Sequence, residues 1–150
     1  MNEKEIDVLV RARILRRKQV DISKTRSLVK SAGNNVNVVK KIPLDDNSAT
    51  LIFREIYESI RQLGEANWII RGFEPLNHEI SLDGFKDMSL KESIKLNYLP
   101  RFKKIRNDVN YNGFIVSIGQ ASEIVDFWNK CGNEIIDNIQ NKLNNFINHK

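Results

Sequence analysis

One cysteine in 150 residues is too few for an intramolecular disulfide or a thiolate-rich zinc site, so Cys131 reads as a structural residue of an intracellular chain. Histidine is nearly as scarce. His78 and His149 lie far apart, which makes a multi-histidine metal site or a hydrolytic triad hard to assemble, and no metal or cofactor is expected. Three prolines and seven glycines leave little room for a turn-rich β architecture, while 41% hydrophobic residues argue against disorder. No apolar run approaches the roughly 20 residues of a membrane span. The opening MNEKEIDVLV is charged where a secretory signal carries its apolar stretch. The expectation is one helical, cytoplasmic domain with no membrane association.

Charge is present in quantity and unevenly placed. The net charge is +5, but residues 1–44 hold eleven Lys/Arg against four Asp/Glu, residues 45–100 six against ten, and residues 101–150 seven against five. Positive charge is thus concentrated at the N-terminal end, as expected of a surface that meets phosphate or an acidic protein. Asparagine is abundant as well, in Asn34, Asn35 and Asn37 and again in Asn144 and Asn145. The sequence alone assigns that bias no role.

Apolar spacing organises the chain. Ile6, Leu9, Val10 and Ile14 predict a short helix over about 3–18 ending in Arg16, Arg17 and Lys18, so residues 1–20 form a basic helical extension. Residues 21–150 form the main domain. Asp21 and Ser23 are helix-capping types ahead of a helix to about 41, with Leu28, Val29, Ala32, Val36 and Val39 on one face and Pro43 as its stop. Asp45 or Asp46 caps a longer helix whose stripe runs from Leu51 and Ile52 through Ile56, Ile60 and Leu63 to Ile70, ending at Gly72. Residues 72–88 read as a connection with one helical turn. A third helix is expected from about Ser89, interrupted near Leu99 by Pro100 and ended by Gly113. A fourth starts at Ser117 and runs through Ile124, Trp128, Ile135, Ile139 and Leu143. Trp68 and Trp128 lie within these stripes and are core or interface anchors before they are base-stacking platforms. Four long helices with short connections predict an all-α, antiparallel up-down four-helix bundle with an additional N-terminal helix.

The run Ile105-Arg106-Asn107-Asp108-Val109-Asn110-Tyr111-Asn112-Gly113 resembles the signature of the HEPN superfamily. Two companion blocks are similar to that family as well: YESIRQLGEANWIIRGFEPLNHE from Tyr57 to Glu79, and SEIVDFWNK from Ser122 to Lys130. The resemblance covers roughly residues 21–148. It implies a helical bundle, usually a homodimer, that works on or with RNA or nucleotides. Many members are metal-independent ribonucleases of toxin-antitoxin and defence systems, often beside a small nucleotidyltransferase partner. Their active motif is an Arg, a polar residue, and a His after four to six intervening residues. Arg106 and Asn107 match. The positions where the His would fall are Tyr111, Asn112 and Gly113.

That departure bears on chemistry. Cleaving RNA through its 2′-hydroxyl needs a proton acceptor near neutral pH, which His supplies at about 6.5 and Tyr, at about 10, does not. An arginine without the histidine can still clamp a phosphate bidentately. At about 100° per residue, Arg106 and Asn110 share a helix face with Lys103 nearby, an expected RNA- or phosphate-binding patch, while Tyr111 is turned roughly 140° away. Catalytic candidates are Arg106, Asn107, Tyr111 and, from the turn after the long helix, His78. The bland alternative pairs Arg106 with Glu58 or Glu65, makes Tyr111 bundle packing, and leaves His78 as a turn residue. Three functions follow: an RNA- or nucleotide-binding module of a toxin-antitoxin or defence system, an active metal-independent ribonuclease toxin, or a structural dimer that binds an acidic protein partner.

Overall fold

Capping chemistry places most of the helix starts in the computed structural model, which describes residues 1–149. Asn2 and Glu5 form a capping box at the start of α1 (Glu3–Arg11). The Asp21 carboxylate accepts from the Lys24 amide, 2.8 Å away, and opens α2 (Ile22–Val39). Asp45 accepts from the amides of Asn47 and Ser48 just ahead of α3 (Ala49–Ile70). Ser117 and Gln120 make a second capping box at α5 (Ile118–Phe127). Between them stands α4 (Leu99–Asn112), with Pro100 in its first turn and Gly113, at φ 65°, as its left-handed stop. The last helix is α6 (Asn133–Asn148).

The all-α class is correct in its main terms, and four local expectations are corrected. The N-terminal helix ends at Arg11, not near residue 18. The chain turns through Arg13, at φ 56°, into a short strand β1 (Leu15–Arg17). This strand pairs antiparallel with β2 (Phe73–Pro75), Leu15 opposite Pro75, Arg16 opposite Glu74 and Arg17 opposite Phe73. Arg16 and Arg17 therefore lie on a strand with Lys18 just after it, and Glu74 takes Arg16 and Lys18 while Asp7 takes Arg17. Second, the segment before Pro100 is not α-helical. It is a 3-10 stretch, Ser93–Tyr98, and Pro100 sits in the first turn of the α-helix, where its missing N–H is one that would be left unpaired anyway. Third, the expected single fourth helix is α5 and α6 joined by a π turn, Trp128–Gly132. The connection after α3 carries β2 and a longer 3-10 stretch, His78–Phe85, than one helical turn.

α3 is the central element, packed against α2, α4, α5 and α6. Its Ile52, Phe53, Ile56, Ile60 and Leu63 are buried almost completely. Phe102 of α4 meets Phe53 edge-on at 6.0 Å and Phe127 at 5.7 Å, an aromatic cluster that fixes α4 against the core. A smaller core joins Ile6, Leu15, Trp68 and Ile80, with the Trp68 indole donating to the Ile80 carbonyl at 2.9 Å. The 3-10 stretch approaches α3 so closely that a Cβ at Gly64 would overlap the Ser81 carbonyl, which is why that helix carries a glycine there.

Candidate functional site

The third turn of α4 presents Arg106 where Phe102 and Ile105, both buried, have fixed the helix rotation. Arg106 is half-buried. Its guanidinium lies over the Tyr57 ring, 5.8 Å from the centroid, and donates one long bond of 3.4 Å to the side chain of its neighbour Asn107. It makes no ion pair among the described residues. The two carboxylates expected from the sequence to hold it are taken: Glu58 receives Arg61 at 2.6 Å and Glu65 receives Arg61 at 3.1 Å and Lys24 at 3.1 Å. The internal pairing of Arg106 with Glu58 or Glu65 is therefore not formed.

Arg106 and Asn110 line one cleft of about 180 Å³ together with Arg54, Glu55, Tyr57 and Glu58 of α3. The shared face expected from helical spacing is thus present. Lys103, one turn earlier, lines the neighbouring cavity instead and sits 3.7 Å from Glu79. Tyr57 is almost fully buried and makes no hydrogen bond to another described residue. Burial pushes its phenol above the usual 10.0, against the opposing pull of the Arg106 and Arg61 charges. A neutral hydroxyl beside a guanidinium supplies a donor where an anionic oxygen would lie.

Tyr111 stands apart from this cleft. The α-helix continues to Asn112, so the tyrosine stays on another face and is 78% exposed, not packed into the bundle. Asn112 is held by Asp108 at 3.3 Å. His78 begins the 3-10 stretch after β2, exposed, with Nδ1 3.0 Å from the Arg61 guanidinium. Since a guanidinium only donates, Nδ1 is the accepting nitrogen in this contact. His149 closes α6 with Nδ1 2.6 Å from the Asn145 carbonyl.

Sequence reasoning missed Arg61, which is 8% exposed. Burial lowers its basicity, but the hydrogen bonds and charges of Glu58 and Glu65 outweigh that and hold the guanidinium firmly protonated. The signal was available as Glu58, Arg61 and Glu65 at three- and four-residue spacing on one helix. Cys131 is fully buried with its thiol pushed up by burial, in agreement with a structural role. Trp68 and Trp128 are core residues, as expected. Among the described residues no cluster of His, Cys, Asp or Glu is arranged to hold a metal ion, and no helix is long and apolar enough to cross a membrane. No protein-family model, curated protein or solved structure matches this chain.

Proposed function

We propose that the chain is a HEPN-like module that binds RNA or a nucleotide phosphate through Arg106, with Asn110 and Tyr57 beside it, and that α2, α3, α4 and the α5–α6 pair are its up-down four-helix bundle. The observation that carries this reading is a guanidinium without an ion pair among the described residues, at a cleft where Glu58 is engaged by Arg61 and the other lining carboxylate, Glu55, does not pair with Arg106. An arginine released from internal pairing keeps its donors for a ligand, and its planar fork matches a phosphate. Asn107 orients the guanidinium from the side. Lys103 contributes field to the same helix rather than a contact in the cleft.

The module acts as a homodimer in this reading. Tyr111, Phe114, Ile115 and Ile118 are exposed apolar residues gathered around the end of α4 and the start of α5, an arrangement suited to a second copy. Two copies joined there would bring two Arg106 clefts together. A toxin-antitoxin or defence setting and a nucleotidyltransferase partner rest on the resemblance of the Arg106 run alone. Cleavage is not part of the reading, because the positions of the motif His hold Tyr111, Asn112 and Gly113.

Incubation of the purified chain with single-stranded and structured RNA, without metal, tests this. Binding that weakens steeply with salt and leaves the RNA intact is expected. Arg106→Ala should weaken it roughly tenfold or more, in line with about 1.5–3 kcal/mol for a charged hydrogen bond, with an unchanged melting temperature. Equal binding by wild type and Arg106→Ala refutes the assignment. RNA cleavage abolished by Arg106→Ala would replace it with the ribonuclease reading, through Tyr111 or His78. No response to RNA or nucleotide, with an acidic protein captured instead, would replace it with the structural dimer.

A further inference from the structure

A second cavity lies away from Arg106 and shares no residue with its cleft. It is a groove of about 610 Å³ between α2 and α6, within the roughly 300–1,000 Å³ usual for small-ligand sites. Its floor is apolar, formed by Val29, Ile136, Leu143 and the edge of Trp128. Its walls gather neutral amides from both helices: Asn34 and Asn37 from α2, Asn133, Gln140 and Asn144 from α6. None of these five side chains makes a hydrogen bond to another described residue. At one end stand Arg26 and Lys30, one helical turn apart on α2, exposed and without an ion pair among the described residues. No carboxylate lines the groove.

Local structure maintains this shape. The π turn Trp128–Gly132 delivers both Trp128 and Asn133 to the groove, and π turns of this kind recur at functional sites. A Cβ at Gly132 would meet the Trp128 ring at 2.8 Å, so only glycine lets the indole lie across the turn. On the facing helix Gly33 leaves the middle of the groove open, its nearest neighbour across the gap being the Ile136 side chain at 3.8 Å from a built Cβ. A glycine within α2 weakens that helix by about 1 kcal/mol relative to alanine. Its benefit here is space.

From this geometry we infer that the α2–α6 groove binds a nucleoside phosphate, with the base on the apolar floor between neutral amides and the phosphate on Arg26 and Lys30. Each amide offers a donor and an acceptor side by side, which matches the mixed donor and acceptor edge of a base. The isolated positive end matches the phosphate, and the absence of carboxylate from the lining removes the repulsion an anion would meet. This inference does not depend on the Arg106 cleft.

Calorimetric titration of the full chain with ATP, without metal, and separately with inorganic triphosphate tests it. Saturable ATP binding is expected, at least tenfold tighter than triphosphate because the base contributes. Arg26→Ala combined with Lys30→Ala should weaken ATP binding by roughly tenfold or more. Gly33→Leu should abolish it by filling the groove while keeping or raising the melting temperature, because leucine is the better helix former. In an Arg106→Ala background, which removes the phosphate contact of the other cleft, saturable ATP binding should remain in this groove and should still be lost on Gly33→Leu. The inference is overturned by a folded chain that does not bind ATP, by triphosphate binding as well as ATP, or by Gly33→Leu binding as wild type does. ATP binding lost in Arg106→Ala but kept in Gly33→Leu also overturns it, and places the nucleotide in the Arg106 cleft.

Discussion

Replacing Arg61 with alanine tests how the fold keeps Arg106 free. Arg61 is nearly buried and binds three partners: Glu58 at 2.6 Å, Glu65 at 3.1 Å and the His78 ring nitrogen at 3.0 Å. Removing one member of a buried ion pair costs about 3–5 kcal/mol, mostly because a charge is left uncompensated. Here the cost is smaller. The Glu58 side chain is 41% exposed and can rehydrate, and Glu65 retains Lys24 at 3.1 Å. A loss of roughly 2–3 kcal/mol follows after discounting for solvent. In a chain of this length about 2–4 °C is lost per kcal/mol, so the melting temperature should fall by about 4–12 °C. A second effect reaches the cleft. Glu58 lines it with Arg106, so a carboxylate released from Arg61 turns toward that guanidinium and competes with phosphate. Arg61→Ala should therefore weaken RNA binding, and adding Glu58→Gln should restore binding. Thermal melts and salt-controlled RNA titrations on the same preparations read both effects. An Arg61→Ala protein that melts like wild type, or whose lost binding Glu58→Gln does not recover, would refute the reasoning.

Leu15→Ala tests whether the N-terminal strand is part of the cooperative unit. The side chain is 1% exposed beside Trp68, so truncation should cost about 2–5 kcal/mol and lower the denaturant midpoint of the whole transition; an unchanged midpoint would mean the strand unfolds separately. Tyr57 gives a pH test. Its phenol is raised above 10.0 in the folded chain, so above that pH the native state holds a proton the unfolded state has released, and stability falls as pH rises toward the folded value. Tyr57→Phe should lose less stability between about pH 9 and pH 11. A variant that declines as steeply as wild type contradicts burial as the cause.

What the sequence made legible was what depends on near neighbours. Asp21 caps α2 three residues from its amide partner, Gly113 ends α4, and the stripe from Ile52 to Ile70 is buried as its spacing required. The strand Leu15–Arg17 was not legible because its partner lies beyond two helices, and because nothing in an arginine signals the positive φ that Arg13 adopts. Helical spacing from Val10 to Ile14 continued across a turn that only tertiary packing creates. The site divides in the same way. Arg106 and Asn110 share a cleft because they share a helix face, whereas Tyr57 under the guanidinium and Glu79 beside Lys103 come from other elements.

Charge shows the distinction most sharply. The N-terminal excess of Lys and Arg suggested an anion-facing surface, but a cation's partner matters more than its sign. Arg16 and Lys18 meet Glu74, Arg17 meets Asp7, and Lys24 meets Glu65. These pairs fasten the strand and α2 to the body of the fold. Glu74 is drawn below the usual carboxylate range, first by its hydrogen bond to Arg16. The basic run therefore points away from the sites it first suggested. Arg26 and Lys30, two cations of the N-terminal excess that lie on α2, and Arg106, in a chain segment of nearly balanced charge, face the two proposed sites without an ion-pair partner among the described residues; Arg54, Arg71 and Lys142 also line cavities without one. Ligand binding should track Arg26, Lys30 and Arg106. Reversing Arg16 to Glu should loosen the strand by repelling Glu74 while leaving RNA and ATP affinity nearly unchanged at high salt, where long-range attraction is screened and direct contacts remain. If affinity at high salt fell with Arg16 as strongly as with Arg106 or Arg26, the strand itself would be the binding surface and the assignment of both cavities would fail.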